Sequence, residues 1–166
     1  MPLTIEPVAV DDIEAIGALA RVVWQAAYAE IIGPAQIDYM LAQRYAPQRL
    51  RDELATPGIH WDRACVDGRL AGFASTLRTA VPGELKLDKL YVDPARQRRG
   101  IGGALIERAL RHARDAACET LILAVNKRNA PAIAAYRKHG FVVREAVCVD
   151  IGNGFVMDDF IMARSV

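Results

Sequence analysis

A glycine- and arginine-rich segment, residues 93–105, constrains the fold of this chain more than any other stretch. It follows a predicted strand and opens a predicted helix that starts with Gly100, Gly102 and Gly103. Glycine weakens a helix, so glycines at a helix start indicate that the backbone must approach something closely. A helix N-terminus offers free N–H groups and the positive end of the helix dipole, and arginines add charge for phosphate. The segment therefore predicts a phosphate or pyrophosphate site. Its arginines are Arg96, Arg98 and Arg99.

Two common phosphate-binding loops do not match this segment. A P-loop needs Lys-Ser or Lys-Thr after its last glycine, and no glycine of this chain is followed by either pair. A dinucleotide-binding fingerprint needs a third glycine where Leu105 stands, and its strand would have to be the first in the chain. The pattern that remains is Gln97-x-x-Gly100-x-Gly102.

The order of apolar patterns along the chain predicts one mixed α/β domain over residues 1–166. The period alternates between that of strands and that of helices, and the Asp67-Gly68 pair indicates a tight hairpin. This order is typical of a single central sheet flanked by helices. The predicted strands are 3–8, 59–66, 70–77, 84–93, 121–125, 141–149 and 155–162. The predicted helices are 13–27, a short one around 37–41, one that Pro47 begins and Pro57-Gly58 ends, one at about 100–117, and one that Asn129 caps and that runs to Lys138.

The strand before the glycine segment has an irregular apolar pattern. Its apolar positions are Leu85 and Leu87, then Leu90 and Val92, so the alternation slips by one residue. A β-bulge absorbs such a slip, and bulges often lie beside active sites. The alternative is a strand whose last part is buried on both faces.

Composition excludes several classes of protein. Lys plus Arg is 21 and Asp plus Glu is 20, which argues against a strongly basic nucleic-acid binder, and no apolar run is long enough to span a membrane. The three cysteines form no C-x-x-C pair, and neither serine lies in a G-x-S-x-G motif. We therefore expect reduced thiols, a cytoplasmic location, no metal, and neither a nucleic-acid nor a membrane partner.

Two motifs together resemble the GNAT superfamily of acetyl-CoA-dependent N-acetyltransferases. One is the Gln97-x-x-Gly100-x-Gly102 loop after the run 90–94, Leu-Tyr-Val-Asp-Pro. The other is the stretch 129–141, which fits N-x-x-A-x-x-x-Y-x-x-x-G-F. The order of elements agrees over nearly the whole chain. The resemblance implies the GNAT fold, with a mixed sheet of about seven strands and a bulged fourth strand that splays away from the fifth.

The resemblance also implies where acetyl-CoA binds. The pantetheine arm would lie between the splayed strands against the backbone of 90–92, and the pyrophosphate would meet N–H groups from Arg98 to Gly103. Asn129 would lie along the pantetheine, a role compatible with capping a helix. The implied cofactor-binding residues are Leu90, Tyr91, Val92, Gln97, Arg98, Arg99, Gly100, Ile101, Gly102, Gly103, Asn129 and Tyr136.

For catalysis, the resemblance implies that Tyr136 is the general acid. A phenol near the sulfur can protonate the departing thiolate when an amine attacks the thioester. The alternative for Tyr136 is a core residue that packs its helix on the sheet. The general base stays open among Glu84, Asp88, Glu30 and a water chain.

The expected acceptor is a primary amine on a small molecule, with polyamine-like amines included. The region that shapes the acceptor site in the family carries aromatic side chains beside carboxylates, which suits a cation, although two of the aromatics have the spacing of a core pair. These residues are Trp24, Tyr28, Glu30, Tyr39, Asp158 and Asp159. The alternatives are acetylation of a protein or peptide amine, and an acyl-CoA-binding module without catalysis. The resemblance also implies a homodimer.

Overall fold

The computed structural model describes residues 2–97 and 99–166, which form seven strands and five α-helices. Two short 3₁₀ turns, Val10–Asp12 and Pro94–Arg96, precede α1 and α4. The strands are β1 (Leu3–Pro7), β2 (His60–Val66), β3 (Arg69–Arg78), β4 (Glu84–Val92), β5 (Thr120–Asn126), β6 (Val142–Gly152) and β7 (Phe155–Ser165). The helices are α1 (Ile13–Tyr28), α2 (Pro34–Tyr45), α3 (Pro47–Ala55), α4 (Ile101–Asp115) and α5 (Ala130–Lys138).

All seven strands form one sheet in the order β1-β2-β3-β4-β5-β7-β6. Only β4 and β5 pair in parallel, and the other neighbouring strands are antiparallel. A buried core on one face packs the sheet against α4 and α5, and a second core on the other face packs it against α1, α2 and α3. The expected mixed sheet of about seven strands flanked by helices is therefore confirmed.

Local signals in the sequence explain several element boundaries. Asp67 and Gly68 both have positive φ, as a two-residue hairpin turn requires. Asn129 caps α5, where its side chain accepts a hydrogen bond from the Ala132 N–H at 3.4 Å. Helix α4 ends two residues before the predicted position, because Ala117 adopts a left-handed conformation that leaves the helix.

The predicted bulge in the fourth strand is confirmed. In the ladder between β3 and β4, Ser75 faces Lys89 and Thr76 faces Leu87, so Asp88 has no opposing residue. The extra residue rotates the strand, which explains how Leu85, Leu87 and later Leu90 all contribute to the core on the α4 side.

Beyond the bulge, β4 and β5 separate. The two strands pair only over Glu84–Lys86 and Thr120–Ile122, although β4 continues to Val92 and β5 to Asn126. The edges of 87–92 and 123–126 that would face each other form a gap in the middle of the sheet, which we call the strand gap. Backbone N–H and C=O groups on such unpaired edges can bind an extended ligand as a further strand would.

Cysteines and helix lengths bear on two other expectations. The cysteines are free, with Cys65 and Cys118 buried, whereas Cys148 lies exposed on β6 instead of in an apolar environment. Among the helices of the described residues, none combines the length and the apolar character needed to cross a bilayer.

Candidate active site

The glycine segment follows β4 at the end where β4 no longer pairs with β5, and we call this end of the strand gap its mouth. The Asp93 carboxylate accepts a hydrogen bond from the Ala95 N–H at 2.9 Å, which fixes the turn after β4. Gly100 then adopts a φ of 77°, a left-handed conformation that favours glycine, and α4 begins at Ile101. Gln97 and Arg99 are exposed beside this mouth, and Arg98 lies outside the described residues.

The first turn of α4 presents backbone rather than side chains. The first N–H groups of a helix have no partner within it, so those of Ile101, Gly102 and Gly103 are available to an anion. The Ile101 side chain is 1% exposed and holds the helix on the core. The two glycines differ: a Cβ on Gly103 would lie 3.0 Å from the His139 ring, whereas one on Gly102 would only touch Val92 at 3.8 Å. Packing within the protein therefore accounts for Gly103, whereas no contact with a described residue requires a glycine at position 102.

Backbone also dominates the wall formed by β4. The Leu90 and Val92 side chains pack toward α4, and the Tyr91 side chain packs in the other core beside Trp24 and Phe73. The backbone of 90–92 belongs to the part of β4 that does not pair with β5, which is where a pantetheine arm is expected.

Tyr28, Tyr91, Tyr136 and Asn129 lie near one another, and Tyr91 belongs to the unpaired part of β4. The hydroxyls of Tyr28 and Tyr91 are 3.3 Å apart. Burial raises the pKa of Tyr28, and hydrogen bonding with Tyr91 and Asn129 opposes that rise. Burial, and next the proximity of Tyr28, raise the pKa of Tyr136. The Tyr136 phenol is therefore protonated at neutral pH and can act as an O–H donor.

Two of the three carboxylates considered as bases are already engaged. Burial alone would raise the pKa of Asp88, but Lys89 and Arg44 outweigh it and lower that pKa to about 2. Glu84 bonds Arg144 at 2.9 Å, which lowers its pKa, and it lies where β4 and β5 still pair. The third, Glu30, is exposed after the end of α1, so none of the three is an unengaged carboxylate within the strand gap.

A buried charged cluster supports the bulge, and sequence reasoning missed it. The Lys89 ammonium is 2.8 Å from Asp88 and 3.8 Å from Glu53, and lies over the Trp61 ring at 5.1 Å. Arg44 of α2 donates to the backbone carbonyl of Asp88 at 3.1 Å. The one signal that could have found Lys89 is the bulge itself, because the slip moves residue 89 to the inner face.

Helix α2 is hydrogen-bonded to the β6–β7 hairpin, in the region where the acceptor is expected. The Tyr39 hydroxyl donates to the Ile151 carbonyl at 2.7 Å, and the Gln36 amide donates to the Val156 carbonyl at 2.8 Å. Trp24 is 2% exposed and belongs to the core, so its interpretation as a core residue is right. Asp158 is exposed and paired with Lys127, whereas its neighbour Asp159 is buried.

This geometry defines a class of protein: an α/β transferase whose sheet opens between its two parallel strands beside a glycine-capped helix. The chain belongs to the acetyltransferase (GNAT) family, whose model matches residues 21–141.

Individual relatives agree in fold and differ in the substrates that they are named for. The spermidine N(1)-acetyltransferase of Thermoplasma acidophilum is 25% identical over 162 residues, which cover 95% of this chain and 97% of that protein. The streptothricin acetyltransferase of Streptomyces lavendulae is 41% identical over 75 residues, which cover 45% of this chain. That match spans only 40% of the length of the streptothricin acetyltransferase. The matches to two mycothiol acetyltransferases span only 34% and 39% of those relatives' lengths.

Among solved structures, the PaiA N-acetyltransferase of Thermoplasma acidophilum in complex with coenzyme A superimposes with a TM-score of 0.87. It is 25% identical to this chain, and the match covers 100% of both chains.

Proposed function

We propose that this protein transfers the acetyl group of acetyl-CoA to a primary amine of a small molecule, polyamines included, by direct attack within a ternary complex. The observation that supports this most strongly is the strand gap, because the protonated Tyr136 phenol lies near Tyr28, whose hydroxyl is 3.3 Å from that of Tyr91 on the unpaired part of β4. Family membership and the coenzyme A complex of the similar solved structure support the donor.

Acetyl-CoA fits the groups along this gap. The unpaired edge of β4 at 90–92 would hold the pantetheine arm as a neighbouring strand does. The N–H groups from Ile101 to Gly103 would hold the pyrophosphate, with help from the exposed Arg99. The thioester supplies the activated acetyl group, and the Tyr136 phenol would donate its proton to the departing sulfur.

Two features support a small amine as the acceptor. Side-chain hydrogen bonds fasten α2 to the β6–β7 hairpin, and these two elements would border the acceptor. In addition, two of the relatives are named for small molecules, namely spermidine and mycothiol.

The experiment is a thiol-release assay with acetyl-CoA and a panel of spermidine, propylamine, glycinamide, hydrazine and a peptide with an N-terminal alanine. We expect thiol release with the small amines and weaker release with the peptide. The peptide is included because an Escherichia coli relative, 40% identical over 75 residues, is named as a ribosomal-protein-alanine N-acetyltransferase. Preference for the peptide would overturn the small-molecule acceptor, and acetyl-CoA binding with no release from any amine would indicate a module without catalysis.

Substitution of Gly102 by alanine tests the proposed pyrophosphate site. Because a Cβ there meets no atom of the described residues closer than 3.8 Å, we expect the ligand-free protein to keep its melting temperature or gain up to about 1 kcal/mol of stability from the better helix former. Acetyl-CoA affinity, measured by calorimetry, should fall about tenfold or more, since the methyl group would crowd a phosphate held at hydrogen-bond distance.

Gly103→Ala is the matched control one residue along the helix. Its Cβ would lie 3.0 Å from the His139 ring, so before any ligand is added this variant should be less stable than Gly102→Ala. Equal acetyl-CoA affinity in the Gly102→Ala variant and the unmodified protein would contradict the placement of the pyrophosphate.

The cytoplasmic location and the homodimer remain predictions from the sequence.

A further inference from the structure

Asp159 on β7 is a buried carboxylate beside the strand gap that the ion pairs of the site leave unused. It faces Asn126, the last residue of β5, in the ladder between β5 and β7. This is the part of β5 that has separated from β4. Asp159 is 8% exposed, and its Oδ1 atom is buried without a hydrogen-bond partner among the described residues.

A buried carboxylate oxygen without a partner is costly, so its presence calls for a reason. Isolated desolvation of this kind is a common way to hold a carboxylate ready to accept a proton. Burial, the largest cause, and the neighbouring Asp158 raise the pKa of Asp159, while Lys86, Arg44 and Lys127 oppose the rise.

The cations around Asp159 are engaged elsewhere. Lys127, which follows β5, bonds Asp158 at 2.5 Å, and Arg44 of α2 and Lys86 of β4 lie 3.8 and 3.7 Å from Asp88. Asp159 also lies near Tyr28 of α1, because its charge raises the pKa of the Tyr28 phenol. Asp159 is therefore next to the buried tyrosines of the strand gap without being neutralised by an ion pair of its own.

Among the carboxylates near the strand gap, Asp88 and Glu84 are weak proton acceptors because their ion pairs lower their pKa values. Resting on the acetyltransferase function proposed above, we propose that Asp159 is the general base that receives the proton of the acceptor ammonium. The step needs no group other than the acceptor, the thioester, Asp159 and Tyr136.

The atoms balance as follows. The ammonium gives one N–H proton to a carboxylate oxygen of Asp159, and the freed lone pair forms the C–N bond to the thioester carbonyl carbon. The C–S bond breaks with its electron pair on sulfur, and the Tyr136 phenol protonates that thiolate. The attacking nitrogen returns a proton to the phenolate and Asp159 releases its proton to water, leaving an amide, a free thiol and one proton.

The test is Asp159→Asn, which keeps the shape of the side chain and removes its basicity. With the best basic amine of the panel, we expect kcat to fall about 100-fold or more, the effect typical of losing a general base. Hydrazine needs less help from a base, because its conjugate acid loses its proton near neutral pH. With hydrazine we therefore expect kcat of Asp159→Asn to fall by only about tenfold or less. Asp159→Glu, which keeps a carboxylate, should recover part of the activity toward the basic amine.

Glu119→Gln is the control, because Glu119 is an exposed carboxylate just before β5, at the end where β4 and β5 still pair, and this variant should retain the activity of the unmodified protein. Acetyl-CoA affinity and melting temperature should not fall in Asp159→Asn, since the Asp159 Oδ1 makes no hydrogen bond to a described residue that would be lost. If that variant fails to fold, Asp159→Ser removes the carboxylate with a smaller side chain and takes its place.

The outcomes separate the two proposals. Suppose that the unmodified protein acetylates amines. The role of Asp159 alone would be overturned if Asp159→Asn kept kcat within about threefold, or if its kcat fell by the same factor with hydrazine and with the basic amine. Unmodified protein that binds acetyl-CoA and acetylates no amine would overturn the proposed function, and the base with it.

Discussion

Replacement of Tyr136 by phenylalanine is expected to lower kcat for amine acetylation by about 10²- to 10³-fold, the range for losing a general acid. The ring would still pack against Phe141, which lies 5.8 Å away between centroids, so the fold should be kept. Acetyl-CoA affinity should change little, because the backbone of β4 and the N-terminus of α4 supply its proposed contacts. Stopped-flow thiol release and calorimetry on the same preparation measure both quantities.

Tyr45→Phe is the matched control for this substitution. The Tyr45 hydroxyl is buried without a hydrogen-bond partner among residues 2–97 and 99–166, so its removal should leave turnover unchanged and stability equal or higher. Full turnover of Tyr136→Phe at saturating substrates would show that another group protonates the sulfur.

The largest effect on stability is expected for Lys89→Met. The Lys89 side chain is 1% exposed and compensates Asp88 and Glu53, so its loss leaves buried negative charge and should cost about 3 kcal/mol of unfolding free energy. The value lies at the low end for a broken buried pair because Arg44 and Lys86 remain near Asp88. Urea denaturation at pH 7 measures it.

Lys86→Met is the control on the same strand. Lys86 also approaches Asp88, at 3.7 Å, but its side chain is 32% exposed, so its removal should cost less than about 1 kcal/mol. If both substitutions lowered the unfolding free energy equally, burial of Lys89 would not strengthen its ion pair with Asp88.

The same cluster predicts how acid affects stability. The pKa of Asp88 is lowered to about 2, so its ionised form stabilises the folded protein at pH values above its unfolded pKa of about 4. That contribution is lost as the pH falls from about 4 to about 2. In Lys89→Met the loss should be smaller, because the cation that lowers this pKa most has been removed, and urea denaturation across that range checks it.

Much of the fold could be predicted because its signals are local. The Asp67-Gly68 turn, the Asn129 cap and the slip between Leu87 and Leu90 each depend on a few neighbouring residues. The family resemblance rests in the same way on two short motifs, and the match of the family model to 21–141 confirms it.

The site residues remain predictions from the sequence. The structure shows that residues 90–92 belong to the part of β4 that does not pair with β5, and that Gly100 precedes α4 in a left-handed conformation. The charged side chains could not be assigned in this way, because their roles depend on partners that are distant in the chain. Glu84 is engaged by Arg144, 60 positions later, and Asp88 by Arg44, 44 positions earlier.

The sequence by itself therefore determined the order of elements, the bulge, the glycine-capped helix and the family, since turn preferences, apolar periodicity and short motifs are properties of neighbouring residues. Only the tertiary structure decided which charges are free to act. It buried Lys89 between α3 and the bulge, engaged Asp88 and Glu84 in ion pairs, and left Asp159 beside the strand gap without an ion pair to any residue that the structure describes. The physical reason is that desolvation and pairing, which set the basicity of a carboxylate, depend on every element packed around it.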